Sequence, residues 1–584
     1  MHSLTVTVGP RAFRIGSTWR APLAQLAALY ADYPQPADSI AHYRIRLDAP
    51  RWMRRHLRPQ VAIQGDYTLP EAVPLPYSQA ILAAEMGMNL QIALGERRLM
   101  LLHAASVEKA GKVVILTGES GSGKSTLAAM LGEAGWRLMG DEFALIDPET
   151  GQAFPFPRPV SLKNEAIAAM QALAGEERFG PLLKDTPKGD IRHFRPSADA
   201  VARMAEPGTP TLILFPRFGA NWAIRPVASG RGICAPHPGL HQLHHAGRTR
   251  FFRADPAGAE RARQGHRLYE RGGGHLHRRK PVRRSRGLMD ARHLARALAD
   301  PDYVTTLDAR GWNALIAMAR AERLDGSLAW RLKGMDVPAA AREILDNALV
   351  NAEANRVQAL WEAEMARRVL TPLGIPLVLL KGTAFAAAGL DAGSGRLIGD
   401  LDILVPRDRL DEAEAALLAA GWSWVKDNPY DQAYYRQHMH ELPPLIHDER
   451  ERMIDVHHTI LPLTAGPKPD AAALVADSVE AGPFRTLSPE DMIIHAVAHL
   501  LADGDLQGGL RNLWDIDRLI REFSETPGFW PRLLARARHH QLAKSTSRAL
   551  RLTAHIFDTP VDTHFAWHGR KGRRLLHGPP ARAR

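Results

Sequence analysis

The sequence predicts two folded modules in one chain: an α/β module, then an α+β module with helical flanks. Three observations carry this expectation. A β-branched strand, Val113 to Leu116, runs through a glycine-rich turn into an apolar-periodic helix. A second apolar run, "RLIGDLDILV" at 396–405, sets Asp400 and Asp402 at strand spacing. Between them lies a stretch with neither helical nor strand periodicity.

At 584 residues the chain exceeds one ordinary core, so several domains are expected. We delimit 1–95 as the N-terminal part of the first module, 96–228 as its glycine-loop part, 229–288 as a basic irregular join, 289–563 as the second module and 564–584 as a basic tail. The opening "MHSLTVTVGPRAFRIG" alternates like a strand and not like a basic-then-apolar leader. No apolar run reaches the roughly 18 residues that a membrane span requires. A cytoplasmic chain without a membrane partner is therefore expected. Cys234 is the only cysteine, which excludes an internal disulfide framework and thiolate-rich metal sites.

The formal charge of +12 is local: residues 229 to 287 hold +11 and residues 564 to 584 hold +6, leaving −5 for the other 504. Nucleic acid is accordingly not expected as a partner. The join is crowded with Arg, His and Gly. It reads either as a basic linker or as an out-of-frame stretch of a GC-rich gene, and the second reading is favoured. Met289, just after it, reads as the start of a second, originally separate protein, because "MDARHLARALADP" resumes an amphipathic pattern.

In the first module, "GKVVILTGESGSGKSTLAAMLGEAGWRLMGDEFALID" supplies the strand–loop–helix context of a phosphate cradle. Gly118, Gly121 and Gly123 let the backbone curl so that amides around Glu119, Ser120 and Ser122 face an anion at a helix N-terminus. Lys124 would reach the β- and γ-phosphates of ATP or another nucleoside triphosphate. Ser125 would ligate magnesium, with Thr126 as a second hydroxyl. The returning strand carries Asp141 and Glu142, acids of the kind that hold magnesium or accept a proton from an attacking hydroxyl.

These residues, with the preceding "LLHAASVEKA", resemble the HPr kinase family and its divergent relatives. The resemblance implies His103 as an auxiliary catalytic group, Asp141 as the base, and a serine hydroxyl of a protein or peptide as acceptor. It extends to about Ala228, and Arg158, Ser161 and Lys163 of "RPVSLKN" read either as substrate or phosphate contacts or as a structural turn. Two departures stand out: Asp141-Glu142 replaces a pair of aspartates, and the family's downstream glycine-rich signature is missing.

In the second module, Asp400 and Asp402 would share one strand face while Leu401, Ile403 and Val405 point into the core. Side-by-side carboxylates repel, and divalent metal offsets that repulsion. "RMIDVHHTI" offers a third acid, Asp455, with His457 on the same face. Upstream, "IPLVLLKGTAFAAAGL" reads as a strand, a Lys-Gly-Thr turn and a helix start. Lys381, Gly382 and Thr383 thereby present a cation, backbone donors and a hydroxyl to phosphate.

Together these stretches resemble the minimal nucleotidyltransferases of the DNA polymerase beta-like superfamily. The resemblance implies Asp400, Asp402 and Asp455 as magnesium ligands, Arg396 as a further phosphate contact, and transfer of a nucleoside monophosphate to an unknown acceptor. His440 and His447 flank the third acid as candidates to orient substrate. "HAVAH" puts His495 and His499 on one helical face at zinc-protease spacing, but without that motif's glutamate. Two non-enzymatic readings stay open: an ATP sensor with a degenerate scaffold, and an RNA tether through the basic join.

Overall fold

The structure is a computed structural model that describes residues 2–217 and 291–562, apart from 37, 70, 71, 120, 426 and 503–508. The basic join at 229–288, the tail at 564–584 and Ser120 of the glycine loop lie outside the described residues. The chain divides into two compact units, Met1–Leu288 and Met289–Arg584. Among the described residues no helix is long and apolar enough to cross a membrane.

The alternating start of the first unit folds as a hairpin, His2–Val8 against Arg11–Ser17. Gly9 turns it with a φ of +51°, and a Cβ there would sit 2.0 Å from the Pro155 carbonyl oxygen, so the turn demands glycine. Tyr43–Asp48, Gln60–Gly65 and Leu75–Pro76 complete a five-stranded sheet in chain order. Helices Arg20–Leu29 and Ala80–Gly95 bury Leu26, Met88 and Ile92 with Phe13, Ile15 and Ile45 of the sheet. Leu101, Phe143, Leu145 and Phe156 join the same core, tying this sheet to the segment that carries the glycine loop.

That segment builds a four-stranded sheet in the order Thr209–Leu214, Lys112–Leu116, Ala105–Lys109, Arg137–Gly140. Lys112–Leu116 runs parallel to Thr209–Leu214 and antiparallel to Ala105–Lys109. Its exit leads through the glycine loop into helix Lys124–Glu133, whose Ala128 and Ala129 pack on Val114, Leu116 and Leu138. The single strand expected over "RLMGDEFALID" is two strands, Arg137–Gly140 and Ala144–Ile146. Asp141 and Glu142 occupy the break between them, where neither must present its carboxylate to a ladder.

The second unit opens with four helices, Ala291–Ala299, Ala309–Ala321, Asp325–Arg331 and Ala339–Leu370. Asp308 caps the second of these by accepting from the Gly311 amide at 2.7 Å. A seven-stranded mixed sheet follows, in the order Trp422–Trp424, Leu445–His447, Met453–His457, Leu401–Leu404, Val378–Leu379, Phe484–Thr486, Val479–Ala481. Helices Pro489–Ala502, Leu510–Phe523, Phe529–His539 and Ala543–Phe557 close the unit. Fully buried Trp514 meets Phe557 edge-on in their midst.

The strand expected across 396–405 is confined to Leu401–Leu404, at the centre of that sheet. Both of its faces are covered: Leu401, Ile403 and Leu404 are buried, and so is Asp402 at 3 % exposure. Asp400 is exposed and lies just outside the strand. The two acids are therefore in different environments, and the desolvation cost falls on Asp402 alone.

Candidate functional site

In the second unit, Leu401–Leu404 and Met453–His457 run parallel, with Asp402 directly opposite Asp455. Helix Lys381–Ala387 begins where strand Val378–Leu379 ends, and the Leu380 amide donates to the Asp402 carbonyl at 3.0 Å. Lys381 has a φ of +49°, rare for a residue with a side chain. Its ammonium donates to Asp402 Oδ1 at 2.6 Å, and His457 Nε2 lies 3.0 Å from the same oxygen. Burial opposes the charge on Asp402, but His457 and Lys381 hold its carboxyl well below the usual range. The Lys381 side chain is 25 % exposed; its partial burial opposes the charge, but Asp402, Asp400 and Asp455 outweigh it and raise its pKa.

Asp455 behaves in the opposite way. Burial, then the neighbouring charges of Asp402 and Glu441, push its carboxyl up to about 7. Three of the expected site groups hold buried polar atoms with no hydrogen-bond partner: Thr383 Oγ1, Arg396 Nε and Asp455 Oδ1. Such atoms are costly to leave unmet, which marks a place built to receive polar groups. Arg396 also forms an ion pair with Asp515 and lies over the Phe385 ring at 5.6 Å. Gly382 makes that position possible, because a Cβ there would sit 2.4 Å from Arg396 Nε.

Asp400, Asp402 and Asp455 do not gather as a tight metal cage. Among the described residues, the group whose ligand atoms all lie within 4.8 Å of one another is His440, Glu441 and His457. Three carboxylates without a countercharge repel, and Asp402 turns to Lys381 and His457 instead. The donor set still suits a hard cation, since the triad offers oxygens and Asp455 keeps an unmet one.

His447 is engaged elsewhere: it stands edge-on to Trp422 at 4.9 Å, and its Nδ1 accepts from the amides of Glu449 and Arg450. His495 and His499 lie on helix Pro489–Ala502, where burial and the nearby Lys381 lower both pKa values. Glu441 and Asp515 are the members that sequence reasoning missed. Glu441 follows His440 in "HMHELPPL", and that adjacency was its one local signal. Asp515 sits inside an amphipathic helix and gives none.

Residues 308–558 match the sequence profile of a family described as an uncharacterised nucleotidyltransferase. The C-terminal region carries a nucleotidyltransferase domain. The paired acids, Lys381, Gly382, Thr383 and Arg396 all fall inside this nucleotidyltransferase region, as does the His440–Glu441–His457 cluster. No curated protein matches the chain.

In the first unit, Gly118, Gly121 and Gly123 have φ values of +146°, +87° and +89°, which form the curled loop. Lys124 Nζ bridges the carbonyl oxygens of Gly118 and Glu119 at 2.8 and 2.9 Å. Burial lowers its pKa, while Glu142 and Asp141 pull it back up. Asp141 is 6 % exposed, accepts from the Ser161 amide at 3.2 Å and leaves Oδ1 unmet. Burial and the adjacent Glu142 raise its pKa. Burial also weighs on Glu142, yet His103, 3.3 Å away, together with Arg158 and Lys163, holds that carboxyl low. Arg158 is committed to Glu85 in a buried ion pair at 3.1 Å. Thr126 follows Ser125 in the first turn of the helix, and Ser122 Oγ is buried without a partner.

Proposed function

We propose that the C-terminal unit transfers a nucleoside monophosphate from a magnesium-bound nucleoside triphosphate to an acceptor hydroxyl, with pyrophosphate as the leaving group. The register of Asp402 against Asp455, under Lys381 and within the matched family region, is the observation that carries this reading. Asp400, Asp402 and Asp455 would hold the metal; Lys381, Gly382, Thr383 and Arg396 would face the phosphates. Bound magnesium would neutralise charge developing on the triphosphate and ease deprotonation of the acceptor. Asp455, with one oxygen unmet opposite Asp402, is placed to take that proton. The unmet Thr383 hydroxyl and Arg396 Nε would pair with phosphate oxygens.

The N-terminal unit is proposed to act as an ATP-dependent kinase on a protein or peptide hydroxyl. Support comes from Asp141, a buried acid of raised pKa beside the Ser125 hydroxyl at the start of the loop helix. Lys124 would exchange its two loop carbonyls for phosphate oxygens, and Ser125 and Glu142 would hold magnesium. Asp141 would accept the proton of the attacking hydroxyl while His103 steadies Glu142.

Incubating the full chain with α-labelled and γ-labelled nucleoside triphosphates separates the two activities. Transfer of α-label that disappears in Asp402→Ala, and of γ-label that disappears in Asp141→Asn, is expected. Absence of α-label transfer with every nucleoside triphosphate and a panel of cell extracts as acceptor would sink the first reading. Intact ATP binding without γ-label transfer would make the first unit a sensor.

A further inference from the structure

We propose that His440, Glu441 and His457 form a binding site for a divalent transition metal of the zinc and cobalt class, adjoining the carboxylate triad but made of its own ligands. Their ligand atoms lie within 4.8 Å of one another. Nε2 of His457 is 3.4 Å and Nε2 of His440 is 3.7 Å from Glu441 Oε2, so both imidazoles face one carboxylate oxygen. Two ring nitrogens and one carboxylate suit borderline metals, whereas magnesium prefers an all-oxygen shell.

The backbone holds these side chains in place before any ion arrives. Glu441 bridges His457 in antiparallel fashion, the Leu442 amide donates to Val456 O at 2.9 Å, and the His458 amide donates to His440 O at 2.9 Å. All three side chains therefore hang from two hydrogen-bonded segments, with the imidazole rings 5.1 Å apart. Burial is graded: the His457 side chain is 1 % exposed, while Glu441 and His440 are 16 % and 22 % exposed, which leaves a route for the ion and for a water as fourth ligand.

The surrounding charge calls for a cation. Asp400, Asp402, Glu441 and Asp455 act on one another here, and Lys381 stands among them. Asp402 Oδ1 lies 3.0 Å from His457 Nε2. An ion taking up that nitrogen would release Asp402 from its histidine partner, so occupancy of this site would be felt at the central carboxylate.

The proposal does not depend on nucleotidyl transfer, because its test reads the metal directly. The full chain, stripped with a chelator, is titrated with zinc by calorimetry and with cobalt(II) by visible absorption, without nucleotide. One zinc equivalent is expected, with tetrahedral cobalt bands. His440→Ala and Glu441→Gln should each weaken zinc binding by about tenfold or more. Asp400→Ala should leave the zinc isotherm in place while impairing uptake of magnesium nucleotide. If His440→Ala does not fold, the isosteric Glu441→Gln carries the same expectation. Failure of the wild-type chain to take up zinc or cobalt, or undiminished affinity in Glu441→Gln, overturns the site and leaves the nucleotide reading untouched.

Discussion

Lys381 Nζ lies 2.6 Å from Asp402 Oδ1, so the lysine that leads the Lys-Gly-Thr turn is the countercharge of the buried strand acid. Asp402 is buried and Lys381 partly so, and removing the lysine strands the buried carboxylate. Lys381→Met is expected to cost about 3 kcal/mol, read as a lowered urea midpoint at constant slope. An unchanged midpoint would mean that Asp402 finds its compensation elsewhere.

Asp455 gives a stability signature with a definite sign. Its carboxyl is held up to about 7 in the folded chain. Between its ordinary value of about 4 and about 7 the folded state binds more protons than the unfolded one, so stability falls as pH rises through that window. Asp455→Asn should flatten the decline in urea midpoint between those values. Magnesium should raise the melting temperature more at pH 8 than at pH 6, because its ligands must be ionised.

Gly382 is constrained by Arg396 and not by backbone conformation. A Cβ would sit 2.4 Å from the guanidinium Nε. Gly382→Ala should destabilise the chain by about 1–3 kcal/mol and displace Arg396. The expected readout is a loss of magnesium-nucleotide affinity in the C-terminal unit, measured by calorimetry, beyond any fall in melting temperature.

Asp141 carries a conflict between stability and chemistry. It is buried with one unmet oxygen, and burial raises its pKa. At pH 8 Asp141 is ionised at a cost to the folded state, so Asp141→Asn should gain about 1 kcal/mol in urea unfolding while eliminating γ-label transfer. A variant that loses stability and keeps transfer would remove Asp141 from the base role.

Lys124 donates to two carbonyl oxygens of its own loop. Lys124→Ala should weaken ATP binding by at least about tenfold, the scale of one charge-assisted hydrogen bond. Equilibrium dialysis with γ-labelled ATP at fixed magnesium checks this.

Much of the second unit's site was legible because its signals are local. Lys381, Gly382 and Thr383 are consecutive, and Asp402 and Asp455 each sit in a short apolar strand. The strand-face argument misplaced Asp400, since a period of two assumes a strand that continues upstream, and the ladder begins at Leu401. Glu441 stayed hidden because its role comes from a bridge to His457, a pairing set by the sheet and not by the sequence around "ELPP". The first unit's loop was readable residue by residue, as only glycine takes the positive φ values at 118, 121 and 123 without strain. The break in the following strand was not readable, because "RLMGDEFALID" has continuous apolar runs on either side of its acids.

The ion pair between Arg396 and Asp515 spans 119 positions of chain. Helix Leu510–Phe523 follows every strand of the site in the chain, and Arg511 anchors it further by donating to the Arg323 carbonyl and the Ser327 hydroxyl. A nascent polypeptide interrupted before this helix has every carboxylate in hand but nothing to aim the guanidinium. The guanidinium is thus held from two directions, by the Phe385 ring nearby in sequence and by a carboxylate from a distant helix, so the aim of Arg396 depends on long-range folding.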